Sequence, residues 1–352
     1  MVACSERGIR ALINPKRSAQ GLHVDPVELP PPNPQHWAKN LRTAWFSREM
    51  ELFCDCLRIA DLNVRESVLD DLSKYYHLSP EECRFRCLHW EELSVREWRQ
   101  RDRSTREGVQ AFYDSLESWS FDLSWYAYLQ CSGHRDPTSV IAAQFAEHRC
   151  PGGAHLDFGS GIGVTAQLFS RLGFTSTLAD ISKPLLDFAC WHLTRHGDRA
   201  HSLLLTSTSL PTGAYDIVTA IDSLFLAPDY VATANELHRV IRPGGWLITN
   251  FDERKKGADE SAWHLHNNAV TLDYQLNRIG FVRRETLCWG LQCYQRVEPQ
   301  GFVFRTHILY QKGLLPIRHF TALCGRVRWP TPRRVARVIA RAIKKRQTRR
   351  EE

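Results

Sequence analysis

The sequence predicts a doubly wound, Rossmann-like α/β sheet that follows a helical N-terminal domain. Three observations predict it. From residue 149 onward short apolar runs alternate with helix-length amphipathic runs, a glycine-rich loop follows the first apolar run, and an aspartate ends the second. Strands that alternate with helices at this spacing form a mainly parallel sheet with helices on both faces.

Composition divides the 352 residues into four segments. Residues 1–36 carry five prolines between positions 26 and 34, which predicts a Pro-rich, flexible leader. Residues 37–148 are expected to form a helical cap domain, because Ser79-Pro80-Glu81-Glu82 and Ser104-Thr105-Arg106-Glu107 have the spacing of capped helix starts. Residues 149–312 form the α/β domain, and residues 313–352 form a basic, amphipathic C-terminal tail.

The cap domain contains a row of aromatic residues at helical spacing. Phe112, Leu116 and Trp119 share one helical face, and Phe121, Trp125 and Tyr128 share another. Two interpretations are open. The row packs against the next domain, or it forms a lid whose aromatic walls suit a bulky apolar substrate.

Seven strands and four helices are expected in the α/β domain. Val164, Leu168 and Leu172 recur at i, i+4 and i+8, which predicts a first helix that ends at Gly173. Further helices are expected over Pro184–Arg195, Tyr230–Ile241 and Ala262–Ile279. The strands are expected at Ala154–Phe158, Phe174–Ala179, Leu203–Leu205, Ile217–Ile221, Trp246–Phe251, Glu285–Trp289 and Phe302–Tyr310.

A glycine loop, LDFGSGIG at residues 156–163, follows the first strand. Gly159, Gly161 and Gly163 permit a tight turn and let a ligand approach the backbone without meeting a side chain. The next helix directs its N-terminal amides toward the same place. Open α/β sheets bind ligands at the carboxyl ends of their strands, so this loop is the expected cofactor site.

The spacing of the loop and its acids favour S-adenosylmethionine (SAM) over a dinucleotide. A dinucleotide loop needs a third glycine where this chain has Val164. Asp157 is poorly matched to a pyrophosphate and well matched to a cation, and SAM carries an α-ammonium and a sulfonium group. Asp180, at the end of the second strand, can accept hydrogen bonds from both ribose hydroxyls.

Residues 150–312 resemble class I SAM-dependent methyltransferases, in particular the small-molecule group that includes quinone C-methyltransferases. The resemblance depends on HLDFGSGIG, TLADIS, SLPTGAYDIVTAIDSLF and ELHRVIRPGGWLITN, in that order. It implies a seven-stranded methyltransferase sheet. It also implies a role for each of nine residues. Asp157, Gly159, Gly161 and Gly163 would contact the methionine moiety, and Asp180 would contact the ribose. Ile181, Thr206 and Ser207 would contact the adenine, and Asp222 would border the methyl-transfer pocket.

One motif departs from the family pattern. Many relatives carry an acid before Leu-Pro that accepts from the adenine amino group, and this chain has Thr206-Ser207-Thr208-Ser209 there. A hydroxyl or a backbone carbonyl would have to replace that acid.

Methyl transfer from a sulfonium is an in-line displacement, so the protein mainly aligns the reactants and excludes water. A base is needed only when the acceptor keeps its proton at neutral pH. His264 and His266, after the fifth strand, are the candidate bases, with surface histidines as the alternative. Cys54, Cys56, Cys83 and Cys87 lack paired CxxC spacing, so we expect buried thiols and no metal site.

The sequence therefore predicts a transferase that methylates a small-molecule or lipid-like acceptor. Two alternatives are open: an RNA methyltransferase that docks through its basic tail, and a non-catalytic SAM-fold binding module. The chain has no apolar run of membrane-spanning length and no apolar h-region near its start, and its eleven cysteines suit reduced thiols. We expect a cytoplasmic protein without a transmembrane segment.

The positive charge is concentrated in the tail. The whole chain carries a formal charge of +7 while residues 326–352 carry +9, which leaves −2 for the remainder. A nearly neutral body argues against a nucleic-acid groove in the catalytic domain. The basic amphipathic pattern over 333–345 suits an anionic membrane surface, an RNA backbone or a solvated chain end.

Deletion of residues 326–352 should leave SAM affinity unchanged, because every residue assigned to the cofactor precedes position 223. We also expect the truncated and full-length proteins to bind RNA equally weakly in a fluorescence anisotropy titration. If the full-length chain binds RNA tightly with a steep salt dependence and the truncated chain does not, the RNA alternative is correct.

Overall fold

The computed structural model describes residues 44–100, 105–251, 266, 268–299 and 301–326. These residues fall into two compact units. Residues 44–269 and 275–299 belong to the first, and residues 270–274 and 301–326 belong to the second. The leader predicted for residues 1–36 and the amphipathic pattern over 333–345 lie outside the described residues.

Within the described residues, seven helices precede the first strand. Asn63 caps the second of them in a reciprocal capping box with Glu66, and Ser79 caps the third by accepting from the Glu82 amide at 3.2 Å. Thr105 caps the fifth by accepting from the Gly108 amide at 3.0 Å. The seven helices are α1 (Ala44–Leu57), α2 (Val64–Tyr76), α3 (Pro80–Leu88), α4 (Trp90–Arg99), α5 (Arg106–Tyr113), α6 (Ser118–Cys131) and α7 (Thr138–Arg149).

The sheet has seven strands in the order β3-β2-β1-β4-β5-β7-β6. The first five strands are mutually parallel, β7 is antiparallel to β5, and β6 is antiparallel to β7. The chain order reverses on either side of β1, which creates a switch point between β1 and β4. The strands are β1 (Ala154–Phe158), β2 (Thr175–Asp180), β3 (His201–Leu204), β4 (Tyr215–Ala220), β5 (Ile241–Thr249), β6 (Phe281–Thr286) and β7 (Gln292–Arg296). The predicted doubly wound, seven-stranded sheet behind a helical region is confirmed.

Among the described residues, no helix lies between β3 and β4, whereas the other connections up to β6 contain helices. These helices are α8 (Val164–Arg171), α9 (Lys183–Arg195), α10 (Tyr230–Val240) and α11 (Ala269–Ile279), and a last helix, α12, covers Gly301–Arg326. A 3₁₀ turn over Leu224–Leu226 follows β4, and a second over Cys288–Gly290 joins β6 to β7. No helix within the described residues combines the length and the apolar character needed to cross a bilayer.

The strand predicted at Phe302–Tyr310 is wrong, because those residues belong to α12. Their β-branched and aromatic side chains favour a strand locally, but the final antiparallel pair forms earlier, as β6 and β7. Gly290, at φ +78°, makes the tight connection between these two strands.

Several boundaries also differ from the predicted ones. Helix α11 begins at Ala269 rather than 262, and β5 begins at Ile241 and runs through the Pro-Gly-Gly segment. The strand predicted at Glu285–Trp289 is instead β6 over Phe281–Thr286, and a 3₁₀ turn follows it.

Helix α6 is buried on most of its circumference. Phe121 and Trp125 of α6 are 0% exposed, and they belong to one apolar core with Ile217 of β4 and Ile248 of β5. A helix that is apolar around its whole circumference is buried by its surroundings. Phe121, Trp125 and Tyr128 therefore pack against the sheet domain, as the first of the two interpretations expects. Phe112, Leu116 and Trp119 instead cluster with Trp90 and Trp98 of the cap.

A buried polar cluster joins α2 to α9. Asp71 of α2 accepts from His192 Nδ1 at 3.0 Å and from His196 Nε2 at 2.8 Å. Arg195 Nε lies 3.1 Å from the other carboxylate oxygen, Oδ1. Burial alone would raise the pKa of Asp71, but the two histidines hold it below its usual range. The cluster fixes the helical region to the helix that follows β2.

Trp125→Ala should lower the free energy of unfolding by about 3–5 kcal/mol, because it empties a large site in the shared core. Chemical denaturation followed by far-UV circular dichroism measures this change. Phe85→Ala is the matched aromatic control: Phe85 is 51% exposed, and its loss should cost about 0.5 kcal/mol or less. Equal unfolding midpoints for Trp125→Ala and the unaltered protein would contradict the shared core.

Candidate active site

The glycine loop approaches its neighbours too closely for side chains. Gly159, Gly161 and Gly163 have φ values of +69°, +53° and +79°, in the left-handed region that favours glycine. A Cβ on Gly159 would lie 2.4 Å from the Ser223 Cβ, and a Cβ on Gly161 would lie 2.6 Å from Leu123 Cδ1. The loop backbone is therefore held between the end of β4 and helix α6.

Asp180 binds the loop at the end of β2. Its Oδ2 accepts from the Gly161 amide at 2.9 Å, and its Oδ1 accepts from the Ser182 amide at 2.8 Å. Burial raises the pKa of Asp180 to about 6, and these amides offset part of that rise. A carboxylate offers about four acceptor sites, so it has capacity for further donors, as two ribose hydroxyls would require.

Asp157 is buried at the end of β1. Its Oδ1 accepts from the Thr219 hydroxyl at 2.8 Å, whereas its Oδ2 is buried without a hydrogen-bond partner. Burial raises the pKa of Asp157 to about 7, and the charge of Asp180 adds to the rise. An unpaired buried carboxylate oxygen is costly. A cationic donor such as an α-ammonium group fits it, so these residues are compatible with SAM.

Asp222 lies just beyond β4 in a strained conformation. Its φ of +52° is uncommon for a residue other than glycine. Its amide donates to Asn250 Oδ1 at 2.7 Å, and Asn250 Nδ2 donates to Asp222 Oδ1 at 2.6 Å. The next residue, Ser223, is the one that contacts Gly159. The exposed Asp222 carboxylate therefore lies beside the glycine loop.

Helix α5 contacts the segment that follows β2. Gln110 Nε2 donates to the Ile181 carbonyl at 3.2 Å, and the Ser182 hydroxyl donates to the Tyr113 carbonyl at 2.9 Å. The half-buried Ile181 side chain packs against an aromatic cluster of the cap. The buried members of that cluster are Trp90, Trp98, Phe112, Tyr113 and Leu116. The cap thus adjoins both ends of the predicted cofactor site.

Thr206 and Ser207 lie in an exposed turn after β3. Leu205, just before them, donates its amide to the Asp180 carbonyl at 2.9 Å, and the Ser207 hydroxyl donates to the Leu204 carbonyl at 3.3 Å. The turn is thus tied to the end of β2. The adenine contact assigned to Thr206 and Ser207 stays a prediction.

The candidate bases are placed differently. His264 lies outside the described residues. His266 is half-buried; its Nε2 donates to the Ala227 carbonyl at 2.9 Å, and its amide donates to the Phe225 carbonyl at 3.3 Å. This histidine holds the turn after β4, with one ring nitrogen engaged in that contact. A role as base stays a prediction.

Sequence reasoning missed three residues that shape the site: Thr219, Ser223 and Asn250. Thr219 is a polar residue directly after the apolar pair Ile217-Val218 of a central strand, which is the signal that could have identified it. Asn250 directly follows β5, at the carboxyl edge where ligands bind. Ser223 gives no local signal, because its role comes from the close approach of Gly159.

Comparison with known proteins agrees with this geometry. Residues 156–249 match the family model described as a methyltransferase domain. The ubiquinone biosynthesis O-methyltransferase of Thiobacillus denitrificans is 29% identical over 96 residues, which cover 26% of this chain and 41% of that protein. The protein of the same name from Albidiferax ferrireducens is 27% identical over 114 residues, covering 31% and 45%. The chain thus spans less than half the length of these curated relatives.

Among solved structures, the chain is similar to the 1,6-didemethyltoxoflavin-N1-methyltransferase of Burkholderia thailandensis, which was solved with S-adenosylhomocysteine and 1,6-didemethyltoxoflavin bound. The identity is 16% and the TM-score is 0.39, with 51% of this chain and 87% of that chain covered. This structural match is partial, and the fold of the α/β domain is established by the strand order of its sheet.

Asp180→Ala should weaken SAM binding by about 1–3 kcal/mol, because hydrogen bonds to a charged group are lost. Isothermal titration calorimetry measures this change. Asp187→Ala, an exposed residue of α9 paired with Lys183, is the matched control and should leave the dissociation constant unchanged. If Asp180→Ala also leaves it unchanged, the ribose has been assigned to the wrong carboxylate.

Proposed function

We propose that this chain, whose residues 156–249 belong to a class I SAM-dependent methyltransferase domain, methylates a hydroxyl group of a small aromatic or lipid-like molecule. The observation that carries the proposal is the Asp222–Asn250 pair. It presents a carboxylate of fixed orientation at the carboxyl ends of β4 and β5, beside the glycine loop.

Two parts of the cofactor, the α-ammonium group and the ribose, have a matching carboxylate in the chain. Asp157 would accept from the α-ammonium group, and Asp180 would accept from the ribose hydroxyls. The three glycines hold the loop backbone close to its protein neighbours, since a side chain at any of them would collide with one. The backbone of such a loop is open to a methionine moiety that approaches from the ligand side. SAM, when bound, supplies an activated methyl group.

Asp222 is suited to receive the proton of the acceptor. A phenol or alcohol keeps its proton at neutral pH, so its oxygen becomes a good nucleophile only as that proton leaves. The Asp222 carboxylate would take the proton while Asn250 holds its Oδ1 in place. A positioned base of this kind contributes about 10²–10⁴-fold to the rate.

The cap supplies the apolar side of the proposed acceptor site. Half-buried Tyr126 of α6 interacts with Asp222: burial raises the pKa of Tyr126 most, and the Asp222 charge raises it further. The phenol therefore stays protonated. A protonated tyrosine from a largely buried helix helps to exclude water, which displacement at a sulfonium carbon requires.

The curated relatives support a hydroxyl acceptor. Both are named as O-methyltransferases of ubiquinone biosynthesis, and a ring hydroxyl on a lipid-like molecule agrees with the acceptor class expected from the sequence. The contact of the basic tail with a membrane surface or RNA, and the cytoplasmic location, stay predictions.

The proposal is tested by incubating the full chain with SAM and separate panels of catechols, amines and RNA, and then measuring S-adenosylhomocysteine release. Methylation of hydroxyl compounds alone is the expected result. Transfer only to RNA would favour the RNA alternative. A protein that binds neither SAM nor S-adenosylhomocysteine in calorimetry is not an enzyme of this class.

Asp222→Asn should lower kcat by about 10²–10⁴-fold while leaving the SAM dissociation constant unchanged. Asparagine tolerates a positive φ and can still accept from Asn250, so the backbone should keep its conformation. Asp229→Asn is the matched control. Asp229 is an exposed residue that caps α10, and asparagine caps equally well. Full activity in Asp222→Asn would show that the base lies elsewhere.

A further inference from the structure

A chain of four polar side chains crosses the centre of the sheet. His155 and Asp157 lie two residues apart on β1, so they share one face. His155 is in register with Ser176 of β2, and Asp157 is in register with Thr219 of β4. None of the four is more than 6% exposed. Central parallel strands are usually apolar throughout, so this cluster needs a physical explanation.

The four side chains form a continuous hydrogen-bonded path. Ser176 Oγ lies 3.1 Å from His155 Nδ1, and His155 Nε2 lies 2.9 Å from Thr219 Oγ1. Thr219 Oγ1 lies 2.8 Å from Asp157 Oδ1. Phe169 of α8 stacks on the imidazole ring at a centroid distance of 3.8 Å. Packing and hydrogen bonds thus hold every member in place.

Ionised Asp157 determines the direction of every proton in the path. A carboxylate can only accept, so Thr219 donates its single proton to Oδ1. Thr219 then accepts from His155, which must carry its proton on Nε2. Burial lowers the pKa of His155 to about 3. The neutral ring therefore accepts at Nδ1 from the Ser176 hydroxyl.

We propose that Ser176, His155 and Thr219 form a positioning relay that holds the Asp157 carboxylate in one orientation, with Oδ2 directed to the α-ammonium group of SAM. The proposal rests on the SAM site proposed above. These three residues would orient Asp157 without contacting the cofactor themselves. Their effect reaches the cofactor through Oδ1, the oxygen that Thr219 holds.

The relay can also run in reverse. When Asp157 is protonated, its Oδ1 donates to Thr219, Thr219 donates to His155 Nε2, and His155 Nδ1 donates to Ser176. The other groups acting on Asp157 are the Ala166 amide, which favours the ionised form, and the Asp180 carboxylate, which disfavours it. Loss of the Thr219 donor should therefore favour protonated Asp157, which breaks the path and weakens binding of a cation.

Thr219→Val removes the hydroxyl with little change of shape. We expect S-adenosylhomocysteine, which has the same α-ammonium group, to bind about tenfold more weakly at pH 8. We also expect the midpoint of the affinity-against-pH curve to rise by about one pH unit. Calorimetry between pH 5.5 and 8.5 measures both. Thr219→Ser, which keeps the hydroxyl, should stay close to the unaltered protein.

Thr249→Val is the control for a merely structural effect. Thr249 of β5 is equally buried, and its hydroxyl donates to the Ala220 carbonyl at 2.7 Å, outside the relay. Its loss should lower stability without moving the pH curve. If Thr219→Val and Thr249→Val give the same pH curve as the unaltered protein, the relay is overturned.

The tautomer of His155 is a second readout, and it is measured on the unaltered protein. In ¹⁵N-histidine NMR at pH 8, the proton should be on Nε2, with the resonance assigned by its absence in His155→Gln. A proton on Nδ1 would overturn the relay even if Thr219→Val failed to fold. Normal ligand binding with the wrong tautomer refutes the relay alone, whereas no ligand binding by the unaltered protein refutes the SAM site.

Discussion

Two carboxylates are buried at the carboxyl ends of adjacent parallel strands. Burying them costs free energy, and the groups around the site determine how much of that cost is offset. Asp157 and Asp180 both have a pKa raised by loss of water. Asp180 is compensated by two loop amides, whereas one oxygen of Asp157 has no partner. This arrangement suits a ligand that brings hydroxyl donors to one carboxylate and a positive charge to the other. A pyrophosphate would instead add negative charge.

The elements that could be predicted from sequence are those with a local signal. The glycine loop, the acids at the ends of β1 and β2, and the helix that ends before Gly173 follow from spacing and turn chemistry. Residues 302–310 were predicted as a strand because β-branched and aromatic residues favour one, but they lie in α12. The position of the last strand pair is instead set by the turn at Gly290. Thr219 and Asn250 were missed because their contacts depend on strand register, which single-sequence patterns do not specify.

The cap and the sheet depend on each other energetically. Trp125 and Phe121 complete a core whose other wall is the sheet, and Asp71 anchors α2 to the helix after β2. The aromatic row that first indicated a lid is mostly used for this packing. Under the proposed function, the cap contributes to the acceptor site only through the fewer residues near Asp222, of which Tyr126 is one.

The contact between Leu123 and Gly161 makes the residues allowed in the cap depend on the cofactor loop, and the residues allowed in the loop depend on the cap. Because the leucine methyl occupies the space where a side chain at position 161 would begin, neither position can enlarge unless the other gives way. A cap grafted from another protein would have to bring a compatible residue at position 123. Acceptance of a different cap therefore depends on its residue at position 123 as well as on its packing against the sheet.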